Sequence, residues 1–284
     1  MQKKMLPLFL LFLACIGLLA YLIIDPAAPA NKPSSFNQLT NTEFINLSNV
    51  SGSLPDRDKF TVYFNSSTIK NVKDGQKIKN WLSDTDGPVL SLDVITAKNE
   101  PVYKSNSKDG HAGVYFDGQS YFEAWNIIGN KIINSDNLTA IAVFKPDDST
   151  KKLQDLTEIF GWGNCNNNRF FAHLSSDMIN FHFGDPNNRV DSNKISLIPN
   201  HYNILVLERR GKIASIELNS AKVGQTETTA ALDTTLSASL MVGTSSCGHN
   251  FKGEIAELSI LKNLSTSEKN SFVKKIMTDY KLAF

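Results

Sequence analysis

Apolar and polar residues alternate across residues 254–261: Ala256, Leu258 and Ile260 fall on one side, Glu257 and Ser259 on the other. That period of two predicts a half-buried strand. Beyond it the period changes. Phe272, Val273, Ile276, Met277 and Tyr280 recur at helical spacing, and Ser265 stands three residues before Glu268, the S-x-x-E spacing of a capping box. A capped amphipathic helix is therefore predicted near the C-terminus. Upstream, the short apolar run at 240–242 leads into a polar, turn-rich loop at 243–250.

Strand-like patterns fill the chain before this point. Residues 60–64 are rich in aromatic and β-branched side chains, and an Asp74-Gly75 turn precedes a run at 78–81. Residues 113–118 and 120–122 read as a hairpin closed by Asp117-Gly118. Residues 138–144 are continuously apolar and predict a central strand. In 178–183, Ile179, Phe181 and Phe183 share one face, Asn180 and His182 the other. Further strands are predicted at 169–174, 202–208 and 212–218, with turns at Arg210-Gly211 and Asn219-Ser220. Many short strands and one helix argue for a two-sheet sandwich.

The N-terminus has a different character. Met5 to Ile24 form an unbroken apolar run behind Lys3 and Lys4. A signal peptide has an apolar core of roughly 7–15 residues and a small-x-small site, which Ala28-Pro29-Ala30 offers. A membrane anchor needs roughly 20 apolar residues, which this run supplies, and its basic flank would stay cytoplasmic. Under either reading the body is exported: anchored on the extracytoplasmic side, or secreted or periplasmic if cleaved near Ala30. Residues 31–57 hold Pro33 and Pro55 with many Ser and Asn and read as a flexible linker, with Phe44-Ile45 a short contact. Beyond residue 30 basic and acidic residues balance, which argues against a nucleic-acid partner.

The order of motifs carries a resemblance. An apolar-Gly strand end at Val242-Gly243 is followed by F-x-G-x-I-A-E at 251–257 and L-S-x-x-E at 264–268. Together these resemble the C-terminal signature of concanavalin A-like, laminin-G-like jelly-roll domains. The Phe116-Asp117-Gly118 triplet and Trp81 ahead of an acidic, Gly-bearing loop are similar to bacterial members, although Asn65 stands where those often carry an acid. The resemblance covers residues 58–284. It implies an all-β, two-sheet antiparallel jelly-roll sandwich with a short C-terminal helix. It also implies calcium as a candidate cofactor, for which Asp185, Asp191 and Asn187-Asn188 could supply oxygens.

The same fold hosts glycoside hydrolases and lyases, whose resemblance implies an E-x-D-x-x-E pattern. Retaining hydrolysis needs two carboxylates about 5–5.5 Å apart. This chain lacks the pattern: Glu254 and Glu257 are three apart, on opposite faces, and are expected as solvated strand residues. That leans away from an enzyme. Cys165 and Cys247 are the two thiols beyond residue 30, and an even count in an exported body predicts a disulfide, with two free thiols as the alternative. Two thiols and His249 fall short of a four-ligand metal cage. If the cysteines pair, their loops meet and gather Trp162, Asn164, Asn166, Asn167, Asn168, Arg169, His249 and Asn250 at one rim. An exposed Trp162 would stack on a sugar, and the amides and Arg169 would bind hydroxyls. In the competing reading Trp162 is core packing and the Asn run a turn cluster. His111, His182 and His201 read as surface or loop residues, and His173 as half-buried and structural. The expected function is a non-catalytic module for a glycan or an extracellular or envelope protein. A divergent glycanase or lyase and a structural envelope component are the alternatives.

Overall fold

The computed structural model describes residues 43–85, 89–91, 100–106, 110–124, 136–147, 157–175, 177–184, 188–195, 197, 200–228 and 239–282; the apolar N-terminal run, Trp125, Asp185 and Asn187 lie outside them. In chain order the strands are β1 (Glu43–Phe44), β2 (Phe60–Asn65), β3 (Asn80–Leu82), β4 (Val89–Ser91), β5 (Val102–Lys104), β6 (Gly113–Asp117), β7 (Phe122–Ala124), β8 (Asn137–Pro146), β9 (Thr157–Asn164), β10 (Asn167–Leu174), β11 (Ile179–Gly184), β12 (Arg189–Asp191), β13 (Asn203–Arg210), β14 (Ile213–Leu218), β15 (Ala221–Glu227), β16 (Leu240–Val242) and β17 (Lys252–Lys262). Helix α1 (Thr266–Asp279) follows. The first sheet runs β1-β15-β14-β13-β8-β17-β6-β5, with β2 also paired to β17; the second runs β12-β11-β10-β9-β16-β7-β4-β3. This is the expected jelly-roll sandwich with one C-terminal helix.

Continuous apolar strands mark where both faces of the first sheet are covered. On β8, Leu138, Ala140, Ala142 and Phe144 enter the core between the sheets, while Ile141 and Val143 enter a second cluster under α1. The helix lays Phe272, Val273, Ile276 and Met277 onto that outer face. It starts at the predicted capping box: the Ser265 hydroxyl accepts from Glu268 N at 3.2 Å, and the Glu268 carboxylate accepts from Ser265 N at 2.7 Å.

Three expectations are corrected. A register shift between Ile255 and Glu257 reassigns the faces of β17. Ile255, Leu258 and Ile260 line the sandwich core, and Ala256 turns to the helix layer. Glu257, expected in solvent, is buried and accepts from the Tyr63 and Tyr280 hydroxyls at 3.1 and 3.0 Å. Burial pushes its carboxyl above the usual range, even though both phenols act to lower it. Glu254 likewise pairs with Lys145 at 2.9 Å.

The expected hairpin at Asp117-Gly118 is instead a crossing between sheets, because β6 lies in the first and β7 in the second. The Asp117 carboxylate accepts from Gln119 N and Ser120 N, both at 2.9 Å, and this local capping turns the chain out of one sheet. Finally, the fold begins before residue 58. Strand β1 pairs with β15, Ile45 N donates to Ser220 O at 2.8 Å, and Leu47 is buried in the cluster under α1. Among the described residues no helix is long and apolar enough to cross a membrane.

Candidate functional site at the disulfide-held rim

Cys165 and Cys247 are joined, with their Cα atoms 4.9 Å apart. The first stands in the tight turn between β9 and β10, where the sequence predicts a longer polar loop. The strands run further because Asn164 and Asn167 still pair across the sheet. The Asn164 amide oxygen accepts from Asn166 N at 3.1 Å and shapes the turn. The second cysteine stands in the 243–250 loop between β16 and β17.

That loop folds back over the outer face of the second sheet. Gly243 N donates to Ile159 O at 2.7 Å, Glu158 N donates to His249 O at 3.0 Å, and the Thr157 hydroxyl donates to Asn250 O at 2.9 Å. Gly161 makes the approach feasible: a Cβ there would stand 2.2 Å from the Cβ of Ser245. The Ser245 hydroxyl then accepts from Cys247 N at 3.0 Å, holding the cysteine in position.

Polar and aromatic side chains lie beside this loop. On β10, Phe170, Ala172 and Leu174 enter the core, so Arg169, Phe171 and His173 take the outer face. Their neighbours on β11 are Asn180 and His182. His173 lies against His182, tilted by 58° with 4.8 Å between ring centroids, and meets His249 edge-on at 5.2 Å. His182 is buried, contrary to its expected surface position; burial first, then His173, Arg169 and Arg189, push its pKa down to about 3. It is therefore neutral at physiological pH. Its Nδ1 lies 3.5 Å from Arg169 Nη1, the outer limit of a hydrogen bond.

Glu158 pairs across the strands with His173 and is fully buried. His173 Nε2 lies 2.6 Å from Glu158 Oε1, although the angles of this approach fall outside hydrogen-bond geometry. Ligand atoms of Glu158, His173 and Cys247 all lie within 4.8 Å of one another, but the Cys247 sulfur is committed to the disulfide.

The sequence-predicted residues divide. Asn164 and Asn166 are exposed at the turn, and Arg169, His249 and Asn250 are partly exposed beside it. Asn167 and Asn168 open β10. Asn250 Nδ2 is engaged by Gly118 O at 3.2 Å. Trp162 is core: its indole is 1% exposed and packs at 5.8 Å on Phe170, so no rim ligand can stack on it as placed. Of the calcium candidates, Asp191 accepts from Asn180 Nδ2 at 2.7 Å and pairs with Arg189 at 3.1 Å. Asn188 Oδ1 accepts from the Thr228 hydroxyl at 3.4 Å. Sequence reasoning missed Glu158 and Phe171. The signal for Phe171 was the alternation on β10, whereas nothing local marked Glu158.

No protein-family model and no curated protein matches the sequence. Among solved structures, the chain is similar to Domain 4 of AbnA, an extracellular GH43 arabinanase from Geobacillus stearothermophilus in complex with arabinotriose. That match has 17% identity and a TM-score of 0.51 over 76% of this chain and 98% of the other. It is also similar to the binding domain of botulinum neurotoxin serotype D, with 12% identity and a TM-score of 0.51 over 79% of this chain. The latter match spans about half of that binding-domain chain, 52%. At these identities the likeness shows the fold alone, a two-sheet β-sandwich.

Proposed function

We propose that this chain is an exported, membrane-tethered binding module of the concanavalin A-like, laminin-G-like type, and that it takes a glycan at the disulfide-held rim. One observation carries the reading. The Cys165–Cys247 bond brings together two loops that present the exposed Asn164 and Asn166 beside the partly exposed Arg169 and His249. Amide and guanidinium donors in fixed positions suit the hydroxyls of a saccharide, and an imidazole edge gives it an apolar contact. The arabinotriose complex of a domain with similar fold supports the ligand class. The N-terminal run at 1–30 is the tether in this reading.

The test is a glycan array probed with the purified chain, with and without calcium. Asn166→Ala and Arg169→Ala should each abolish or weaken binding while leaving the thermal melt unchanged. Trp162→Ala is unsuitable as a probe, because it removes core volume. Absence of binding in both conditions, or binding untouched by both variants, refutes the reading and shifts weight to an extracellular or envelope protein partner.

A divergent glycanase or lyase is the second reading. It is favoured by Glu158 and Glu123, two buried carboxylates that the strand pairing puts on the outer face of the second sheet. Their strands are separated by β16, roughly 10 Å across the sheet, and Glu123 is level with Gly161, so Glu158 is displaced roughly a further 10 Å along β9. A retaining pair stands about 5–5.5 Å apart, so the strands would have to move for the two to act together. Turnover of an array-identified glycan that is lost in Glu158→Gln would establish it.

A further inference from the structure

The saccharide rim leaves one group of side chains unused. Glu158 is fully buried, and neither carboxylate oxygen finds a hydrogen bond among the described residues. Its one close ionic contact among them is His173 Nε2, 2.6 Å from Oε1, an imidazole that offsets the buried charge only when protonated or when both groups share a metal ion. Its neighbours are an imidazole, His173, and a sulfur, Cys247, with the three ligand atoms within 4.8 Å of one another. Carboxylate, imidazole and thiolate together form a donor set for a borderline divalent ion such as zinc. Donor atoms around tetrahedral zinc stand roughly 3.3–3.8 Å apart, given bond lengths near 2.0–2.3 Å, so side-chain rotation that parts Glu158 and His173, now 2.6 Å apart, and draws in Cys247 puts the three in range. In the disulfide the Cys247 sulfur has no charge to offer.

We propose that reduction of the Cys165–Cys247 bond opens a zinc-type metal site made by Glu158, His173 and Cys247, with a fourth position facing His249. The reductant is a dithiol. It supplies two electrons and two protons, the S–S bond breaks, Cys165 and Cys247 become thiols, and the dithiol closes to its own disulfide. The metal then displaces the Cys247 thiol proton to solvent, and the resulting thiolate joins His173 and Glu158. Both cysteines are only partly buried, so a dithiol can reach them. Cys165 leaves with the β9–β10 turn and ligates nothing. The device is a switch: oxidised, the 243–250 loop is pinned covalently to the sheet; reduced, it is pinned by the ion.

The test uses the full chain, oxidised or reduced with dithiothreitol and freed of it anaerobically, titrated with cobalt(II). The reduced chain should bind one equivalent and develop a thiolate-to-cobalt charge-transfer band that the oxidised chain lacks. Affinity should fall at least about tenfold in Glu158→Gln and in His173→Ala, the least that loss of even an outer partner costs. Cys165→Ser, which frees Cys247 permanently, should bind without reductant, and Cys247→Ser should show no thiolate band in either state. Circular dichroism reports whether each sample is folded. The proposal is overturned by a reduced wild-type chain with no band. It is equally overturned if binding is insensitive to both Glu158→Gln and His173→Ala, the behaviour of loose thiols in an unfolded chain. Should Cys165→Ser fail to fold, the reduced wild-type arm still decides.

Discussion

Loss of the Lys269 side chain should cost this fold several times what an exposed ion pair would. The side chain projects from α1 into the first sheet and is only 3% exposed. Its ammonium sits 3.1 Å from a Glu208 oxygen and in close contact with Glu217. Glu208 has a second partner, Arg210, at 2.6 Å. Among the described residues Glu217, only 2% exposed, has no second ion pair, and Lys222 acts on it from farther away. Replacing Lys269 with alanine therefore strands a buried carboxylate. Breaking a buried pair in this way costs about 3–5 kcal/mol. For a domain of this size each kcal/mol is worth roughly 2–4 °C, so the melt should fall by roughly 6–20 °C.

The cause can be separated from lost packing. Lys269→Met keeps the aliphatic stem and should lose nearly as much as Lys269→Ala, whereas adding Glu217→Gln to it should recover a large part. The pH dependence gives a second check. Burial holds the Glu217 carboxyl above the usual range even with Lys269 present, and removing Lys269 raises it further. A folded state that holds a proton which the unfolded state has released loses stability as pH rises between the two pKa values. The deficit of the variant should thus be full at neutral pH and shrink as the pH is lowered toward the ordinary carboxylate range. Glu208 behaves oppositely in the parent chain. Burial alone would raise its carboxyl, but Lys269 and Arg210 outweigh that and hold it low. Its contribution is present above the ordinary pKa and is lost on acidification. Urea melts at neutral and mildly acidic pH measure both effects. A Lys269→Met cost below about 1 kcal/mol, the range of exposed pairs, or a deficit independent of pH, would refute the account.

Four further outcomes are expected. Ser265→Ala removes the cap of α1 and should cost about 1 kcal/mol, read by thermal melting. Trp162→Ala should cost about 3–5 kcal/mol in a urea melt, because a fully buried indole leaves a cavity. Replacing both Cys165 and Cys247 by serine opens a cross-link of sequence separation 82 and should cost on the order of 4–5 kcal/mol on chain-entropy grounds, measured by denaturant titration. Gly161→Ala should lift the 243–250 loop, since the new Cβ collides with Ser245; faster amide exchange confined to that loop is the readout.

Much of the fold is written locally. The capping box at Ser265, the helical period through Met277 and the positive-φ turn at Asn219-Ser220 each act within a few residues, and each stands where its pattern predicts. The errors occur where a distant partner decides. The bulge in β17 is set by the register it must keep with β8, so alternation alone misassigns Ala256 and Glu257. The Asp117 turn has the chemistry of a hairpin, yet β17 claims β6 while β16 claims β7. Tyr280 looks like a simple apolar helix position, and only the packed structure reveals that its hydroxyl supports a buried carboxylate on β17.

The candidate site follows the same division. The disulfide was legible from cysteine count and context, and the exposed amides from their place beside Cys165. The burial of Trp162 was not, because a Trp ahead of a polar turn reads alike whether its strand faces in or out; pairing opposite Phe170 and Leu240 puts it inside. Phe170, Ala172 and Leu174 take the core on β10, so the outward set Arg169, Phe171 and His173 was legible in outline. What local patterning could not supply is the 243–250 loop lying across that face. Its approach depends on a glycine at 161, eighty-four residues before Ser245. Without that missing side chain, Cys247 could not stand over Glu158 and His173. The disulfide rim and the cluster of Glu158, His173 and Cys247 beneath it therefore share one structural cause, and a change at Gly161 should disturb both together.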